Sequence, residues 1–275
     1  MKYNNQVMML EEYKTKITSA ADRRRQQIIS EILIPFTKSF IQQMPIKKGM
    51  HGLDLGCGTG VTTMILKNFL GSEGVITGMD SNAFLINIAR EKNQQNEMSN
   101  INYKLQNILE WKDDQTYDFI YSGLFFNRVS NPAYALRQVY NSLTPGGFAM
   151  VEDLDFTQFQ CFPNCYAFDQ FIDFYTTIKK MQGTDANIGK RLGQLFSQAG
   201  FEKVQERMVP PKFLKNSNKH IASLTLESIR PLLLKEKLTT PTELMALIFE
   251  LQEFENQKST MISLPGVYQV FGYRN

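Results

Sequence analysis

The chain has 275 residues, 43% hydrophobic and 21% charged, with a net charge of +3. That length suits one large α/β domain or two small ones. The small net charge and the shortness of the basic runs, Arg23-Arg24-Arg25 and Lys47-Lys48, exclude the footprint of a general nucleic-acid binder, so no nucleic-acid partner is expected.

The first periodic element is a helix over Asp22 to Gln43, where Ile28, Ile32, Phe36 and Phe40 recur every four residues. Pro35 should kink it, and Pro45 and Gly49 mark the turn that follows. Strands and helices then alternate. A strand at His51 to Leu55 runs into a glycine turn, and a helix carries Val61, Ile65, Leu66 and Phe69 on one face. A second strand, Gly74 to Met79, ends at Asp80, and a helix with Phe84, Leu85, Ile88 and Ala89 leads to a third strand at Ile101 to Leu105. The fourth strand, Tyr117 to Ser122, precedes a helix with Leu136, Val139, Tyr140 and Leu143, broken by Thr144-Pro145-Gly146-Gly147 before a fifth strand at Phe148 to Leu154. Gly189 to Ala199 reads as a helix, Phe201 to Pro210 as a sixth strand and Met261 to Tyr273 as a seventh. This alternation implies βαβ units and a mainly parallel sheet in a single domain over residues 1–275.

The three cysteines, Cys57, Cys161 and Cys165, form neither a disulfide framework nor a zinc site, so no metal and a reduced, cytoplasmic setting are expected. No segment approaches the ~20 apolar residues that span a bilayer, and Met1 to Tyr13 lacks the apolar core of a signal peptide.

The chemistry concentrates in Asp54-Leu55-Gly56-Cys57-Gly58-Thr59-Gly60. Following a strand and opening a helix, this turn sets backbone N–H groups and the positive end of the helix dipole beside a ligand. Asp80 ends the next strand, where a carboxylate can accept hydrogen bonds from two ribose hydroxyls. A dinucleotide fingerprint would place its third glycine where Val61 stands, and Asp54 suits a cofactor with a free α-amino group, which dinucleotides lack.

The run from His51 to Gly60 resembles the first motif of class I S-adenosylmethionine-dependent methyltransferases, of the small-molecule kind that includes the quinone-biosynthesis enzymes. The resemblance continues through Asp80, Tyr117-Asp118-Phe119-Ile120-Tyr121, Leu143 to Gly147 leading into Glu152-Asp153, and Ile188 to Phe201, covering roughly residues 20–275. It implies a Rossmann-like, seven-stranded, mostly parallel sheet with helices on both faces and strand seven antiparallel. It also implies S-adenosylmethionine as cofactor and S-adenosylhomocysteine as product. Carried over position by position, Asp54 with Gly56, Cys57, Gly58, Thr59 and Gly60 would hold the methionyl part. Asp80 would hold the ribose, with Ser81 and Asn82 flanking the adenine. Gln106-Asn107 replaces the usual Gly-Asp pair, so Asn107 would meet the adenine amino group through its amide oxygen, and Ile108 would pack on the ring. Ser122 and Gly123 would lie beside the sulfonium.

The histidines that many small-molecule members carry after strand four are replaced by Phe125-Phe126-Asn127-Arg128. The remaining catalytic candidates are Glu152, Asp153 and His220. The acidic group Glu152, Asp153 and Asp155 reads as a cap on strand five or as a substrate-binding or proton-accepting group, ahead of a divalent-metal site, for which no partner ligands of suitable type are evident. Residues 1–45 are expected to form an N-terminal helical cap, and 156–187 and 212–258 lid insertions. The first insertion, with Phe156, Phe159, Phe162, Tyr166, Phe168, Phe171, Phe174 and Tyr175, favours a small apolar or aromatic methyl acceptor if some of these rings leave the core. Competing functions are a cofactor-binding protein without transferase activity, a protein methyltransferase, and an NAD(P)-dependent oxidoreductase.

Overall fold

The computed structural model describes residues 20–275 except 97, 112–114, 211, 212 and 215. The expectations for Met1 to Tyr13, and for the start of the 1–45 cap, lie outside these residues. Along the chain run α1 (Ala20–Gln42), β1 (His51–Leu55), α2 (Val61–Leu70), β2 (Val75–Asp80), α3 (Ala83–Gln95) and β3 (Ile101–Leu105). They are followed by β4 (Tyr117–Gly123), α4 (Pro132–Asn141), β5 (Leu143–Asp155), β6 (Cys161–Phe162), α5 (Tyr166–Met181) and α6 (Leu192–Ala199). The last elements are β7 (Glu202–Val209), α7 (Ile221–Lys235), α8 (Pro241–Asn256), β8 (Met261–Ile262) and β9 (Gly266–Tyr273). Among the described residues no helix is long and apolar enough to cross a membrane.

The chain divides into two compact units. One, comprising residues 36–157, 183–210 and 266–275, holds a seven-stranded sheet in the order β3-β2-β1-β4-β5-β9-β7. Its first five strands run parallel, and β9 lies antiparallel to both β5 and β7. The Rossmann-like arrangement expected from the sequence is therefore present. Because successive strand residues point to opposite faces, Phe119 and Tyr121, Phe148 and Met150, and Phe271 gather on one side with Leu66, Leu70, Phe40 and Ile41. On the other side Ile120, Ala149, Val151 and Val270 meet Leu136, Val139, Leu192 and Phe196. Each fully buried Leu or Phe contributes about 1.5–3 kcal/mol.

Two boundaries differ from the sequence reading. Thr144 to Gly147 does not precede the fifth strand but lies within β5, as a bulge between the pairs Tyr117–Leu143 and Phe119–Phe148. The seventh strand, read as continuous over Met261 to Tyr273, is two. Met261–Ile262 pairs with β6, and only Gly266–Tyr273 joins the large sheet. Pro265 between them has no N–H to donate to a ladder. Pro35 sits inside α1, which continues beyond it to Gln42.

The other unit takes the described residues among 1–35, 158–182 and 211–265. Its core is an aromatic cluster in which Phe159, Phe168 and Phe171 meet edge to face at centroid distances of 5.2–5.6 Å. Phe162 and Tyr166 stay outside it, 59% and 65% exposed. Helix α8 starts with a capping box: Thr240 Oγ1 accepts the Glu243 N–H at 3.3 Å, and the Glu243 carboxylate accepts the Thr240 N–H at 2.9 Å.

Candidate functional site

Strand β1 ends in a turn built by its glycines. The N–H groups of Gly56 and Cys57 both donate to the Met79 carbonyl, at 2.8 and 3.0 Å, tying the turn to the end of β2. Gly56, Gly58 and Gly60 take φ values of 77°, 53° and 78°, a left-handed run that only glycine adopts without strain. Gly60 caps α2 without a side-chain hydrogen bond, which leaves the first turn of that helix with backbone donors to offer. A Cβ on Gly56 would strike the Phe125 ring, and one on Gly60 would strike the Tyr103 hydroxyl, whereas one on Gly58 would meet nothing within 4 Å. The open side of the turn is thus at Gly58.

Two carboxylates flank it. Asp80 accepts the Gly58 N–H at 3.0 Å on one oxygen and the Asn82 N–H at 2.9 Å on the other, leaving a lone pair on each for a ligand's hydroxyls. Asp54, 1% exposed, accepts the Thr63 hydroxyl at 2.6 Å. Burial pushes its carboxyl up to about 7, Asp80 adds to the rise, and Thr63 opposes it. The Cys57 thiol points inward and is raised well above its usual range, chiefly by burial.

The remaining carried-over residues line the same edge of the sheet. Ser81 is exposed, and Asn82 caps α3 by accepting the N–H groups of Phe84 and Leu85 at 3.0 and 3.3 Å. Asn107 Oδ1 accepts the Leu109 N–H at 3.0 Å and retains one lone pair. Ile108 is buried in the core beside Trp111, and the Ser122 hydroxyl donates to the Leu55 carbonyl at 2.9 Å.

The three acidic residues of β5 part company. Glu152 turns to the α1 side, where the Thr37, Tyr121 and Gln269 side chains all donate to it, the last two at 2.7 Å. Burial raises its carboxyl, against those three donors and Arg207. Asp153 turns to the opposite face and accepts from the Asn127 N–H and Nδ2 and from the Leu154 N–H. Asp155 accepts the Thr157 N–H and hydroxyl at 3.0 and 2.7 Å, capping the strand end. Among the described residues no three His, Cys, Asp or Glu groups gather as a metal site. His220 belongs to the other unit, where its Nδ1 lies 3.1 Å from Glu255, a buried carboxylate that also accepts the Ser223 N–H and hydroxyl.

Sequence reasoning missed Thr63, Tyr103 and Phe125, the side chains that fix the turn. A signal existed for one: Gly78, a glycine inside a strand, is the register partner of Tyr103 and leaves room for its ring.

The methyltransferase domain family matches residues 46–200, more than half of the chain. The demethylmenaquinone methyltransferase of Listeria welshimeri is 28% identical over 133 residues, which cover 48% of this chain and 56% of that protein. The chain thus spans little more than half the length of that curated relative. Two solved structures share the fold. The YcgJ protein of Bacillus subtilis has a TM-score of 0.61 at 14% identity, over 86% of this chain and 97% of that one. Phosphoethanolamine N-methyltransferase 2 of Haemonchus contortus, solved with S-adenosylhomocysteine and phosphomonomethylethanolamine, has a TM-score of 0.55 at 12% identity, over 89% of this chain and 52% of that one. The motifs, the strand order and the domain match agree, and the chain belongs to the class I S-adenosylmethionine-dependent methyltransferase family.

Proposed function

We propose that this chain transfers the methyl group of S-adenosylmethionine to a small, apolar or aromatic acceptor. The observation that carries this reading is the left-handed glycine turn, open at Gly58, between a buried Asp54 and an Asp80 whose oxygens keep free lone pairs. Asp54, Gly56, Cys57, Gly58, Thr59 and Gly60 would hold the methionyl end, Asp80 the ribose, Ser81, Asn107 and Ile108 the adenine, and Ser122 the neighbourhood of the sulfur. When bound, the cofactor supplies an electrophilic methyl group on a sulfonium. The chain's own contribution is orientation, because in-line displacement gains most from proximity. Glu152, Asp153 and His220 then act as structural groups, since protein partners already engage each of them.

An apolar or aromatic acceptor is supported by the relatives named for demethylmenaquinone methylation and by the exposed Phe162 and Tyr166. Segments 156–187 and 212–258, which leave the chain after β5 and β7, would set acceptor specificity together with residues 1–45, the whole chain acting as one methyltransferase domain. The test is calorimetry with S-adenosylmethionine, S-adenosylhomocysteine and NADH, on wild type and Asp80→Ala. Micromolar binding of the first two, lost in the variant, followed by labelled-methyl transfer to a quinol or phenol, is the expected outcome. Binding of NADH instead, or of nothing, refutes the reading.

A further inference from the structure

Beneath the glycine turn lies a buried polar cluster of which the cofactor reading uses only Asp54. Asp54 from β1 and Thr63 from α2 are both buried and joined at 2.6 Å. Tyr103 reaches them from β3. Its ring crosses the bare backbone of Gly78 on β2, where a Cβ would come within 2.8 Å of two ring carbons. Its hydroxyl ends under Gly60, 2.4 Å from where a Cβ would stand. That oxygen is shut off from solvent and makes no well-formed hydrogen bond among the described residues. Thr63 lies beside it, but its hydroxyl proton is committed to Asp54. A buried hydroxyl left idle is destabilising, and a tyrosine that only filled space would be replaced by phenylalanine without loss.

We infer that Tyr103 is a positioning residue for the ligand of the glycine turn: its idle hydroxyl completes a relay, Tyr103 to Thr63 to Asp54, that steadies the Asp54 carboxylate against a bound ammonium group. The inference rests on the proposed contact between Asp54 and the cofactor's amino group. In the unliganded chain Asp54 keeps its proton up to about neutral pH, so one donor, Thr63, suffices. When an ammonium group arrives, the carboxyl releases its proton to solvent and the acceptor beside Thr63 becomes a full anion. The Thr63 hydroxyl then polarises, and its free lone pair becomes the partner that Tyr103 lacks. Tyr103 remains a donor throughout, because burial, with Cys57 and Asp54 adding to it, pushes its phenol up to about 12. The other titratable groups within electrostatic reach of Asp54 are Asp80 from β2, Cys57 in the turn and Tyr121 from β4. None of them brings a cation.

The experiment is Tyr103→Phe, read by calorimetry with S-adenosylhomocysteine and with 5′-methylthioadenosine, which keeps the adenosine and sulfur but has no amino-acid end. The expected result is about a five- to tenfold loss of S-adenosylhomocysteine affinity, with methylthioadenosine held within about twofold. The pH at which S-adenosylhomocysteine binding falls by half should move upward, because the carboxylate has lost a supporting donor. The unliganded variant should melt no lower than wild type, since the lost hydroxyl made no well-formed hydrogen bond. Thr63→Val should reproduce the selective loss and Thr63→Ser restore it. Unchanged S-adenosylhomocysteine affinity, equal weakening of both ligands, or a lower melting temperature of the unliganded variant would each overturn the inference while leaving the methyltransferase reading intact. A wild-type chain that binds neither ligand would overturn both.

Discussion

Lowering the pH from about 7.5 to about 5.5 should weaken S-adenosylhomocysteine binding about fifteenfold, with Asp54 as the cause. Its carboxyl is raised from the ordinary 3.8 to about 7, because burial disfavours the charged form and Asp80 lies within electrostatic reach. If the ligand's ammonium group needs the carboxylate, affinity follows the ionised fraction. That fraction is about three-quarters near pH 7.5 and about one-thirtieth near pH 5.5. The ligand's own amino group, with a pKa of about 7.8, is about two-thirds protonated at the upper pH and fully protonated at the lower. The product of the two fractions falls about fifteenfold, and a second decline should appear above about pH 8 as the amine loses its proton.

The same shift has a consequence for the unliganded fold, and its sign is opposite. A carboxyl whose pKa is raised on folding keeps its proton longer in the folded chain than in the unfolded one. Its contribution to stability is complete below about pH 4 and is lost as pH rises towards about 7. Three pH units of difference correspond to about 4 kcal/mol, undiscounted because the group is fully buried. Glu152, raised in the same direction, adds to the trend. Acidification should therefore steady this region of the empty protein while it weakens ligand binding, a combination that general acid unfolding does not produce. Calorimetry across the pH range with S-adenosylhomocysteine, and with methylthioadenosine as the ligand lacking an ammonium group, measures the effect. Asp54→Asn should bind S-adenosylhomocysteine more weakly near pH 7.5 and lose the acid limb. A wild-type affinity that stays flat between pH 5.5 and 7.5 would refute the reasoning.

Gly60→Ala should weaken S-adenosylhomocysteine binding at least about tenfold, because it forces a side chain into a left-handed backbone at a cost of ~1–2 kcal/mol and drives a Cβ into Tyr103. Unchanged calorimetric affinity in that variant would mean that the turn does not hold the ligand. Glu152→Ala strips three buried donors of their acceptor and should cost about 3 kcal/mol or more in chemical denaturation, whereas Glu152→Gln should leave S-adenosylhomocysteine affinity within about twofold. A large loss of affinity in Glu152→Gln would return Glu152 to the list of functional groups. Tyr166→Ala and Phe162→Ala, at exposed rings outside the aromatic core, should raise the acceptor KM while leaving S-adenosylhomocysteine binding unchanged. An unchanged KM would remove these rings from acceptor recognition.

The parallel half of the sheet was legible because its strands are short segments, apolar or alternating apolar and polar, that recur between helical segments, as at Leu53 and Leu55 before the glycines that follow. The legibility failed where a local rule met a longer-range one. Thr144 to Gly147 has every mark of a chain break, yet the pairing with Tyr117 begins at Leu143 and the glycines are absorbed as a bulge. Met261 to Tyr273 looks like a single strand because its residues suit one throughout, and only the partner of Met261, Phe162, reveals that its first two residues pair elsewhere. In the site, the residues along the chain of the turn itself were readable. Thr63 and Tyr103 were not, because nothing in their immediate neighbours says that one faces Asp54 and the other crosses Gly78.

Burial alone would rank Glu152, Asp153, Asp155, Glu255 and Asp54 alike as candidate functional acids, and the donors around them separate the set. Glu152 accepts from three side chains on α1, β4 and β9, and Asp153 from an asparagine side chain and two backbone amides. Asp155 is met twice by Thr157, and Glu255 by Ser223 and His220. Glu152, Asp153 and Glu255 thus join elements within their own units and have their acceptor capacity largely spent, which is what a structural acid needs, while Asp155 has Lys190 4.0 Å away besides Thr157. Asp54 is different: among the described residues Thr63 alone bonds it, through the hydroxyl and, more loosely, its backbone N–H. A buried acid with so little support retains its proton up to about neutral pH, and a cation delivered beside it favours the release. Asp80 has two backbone donors and stands next to the open side of Gly58. Asp54 and Asp80, which flank the glycine turn, both keep acceptor capacity for a ligand. This supports assigning cofactor binding to them and structural roles to the other four.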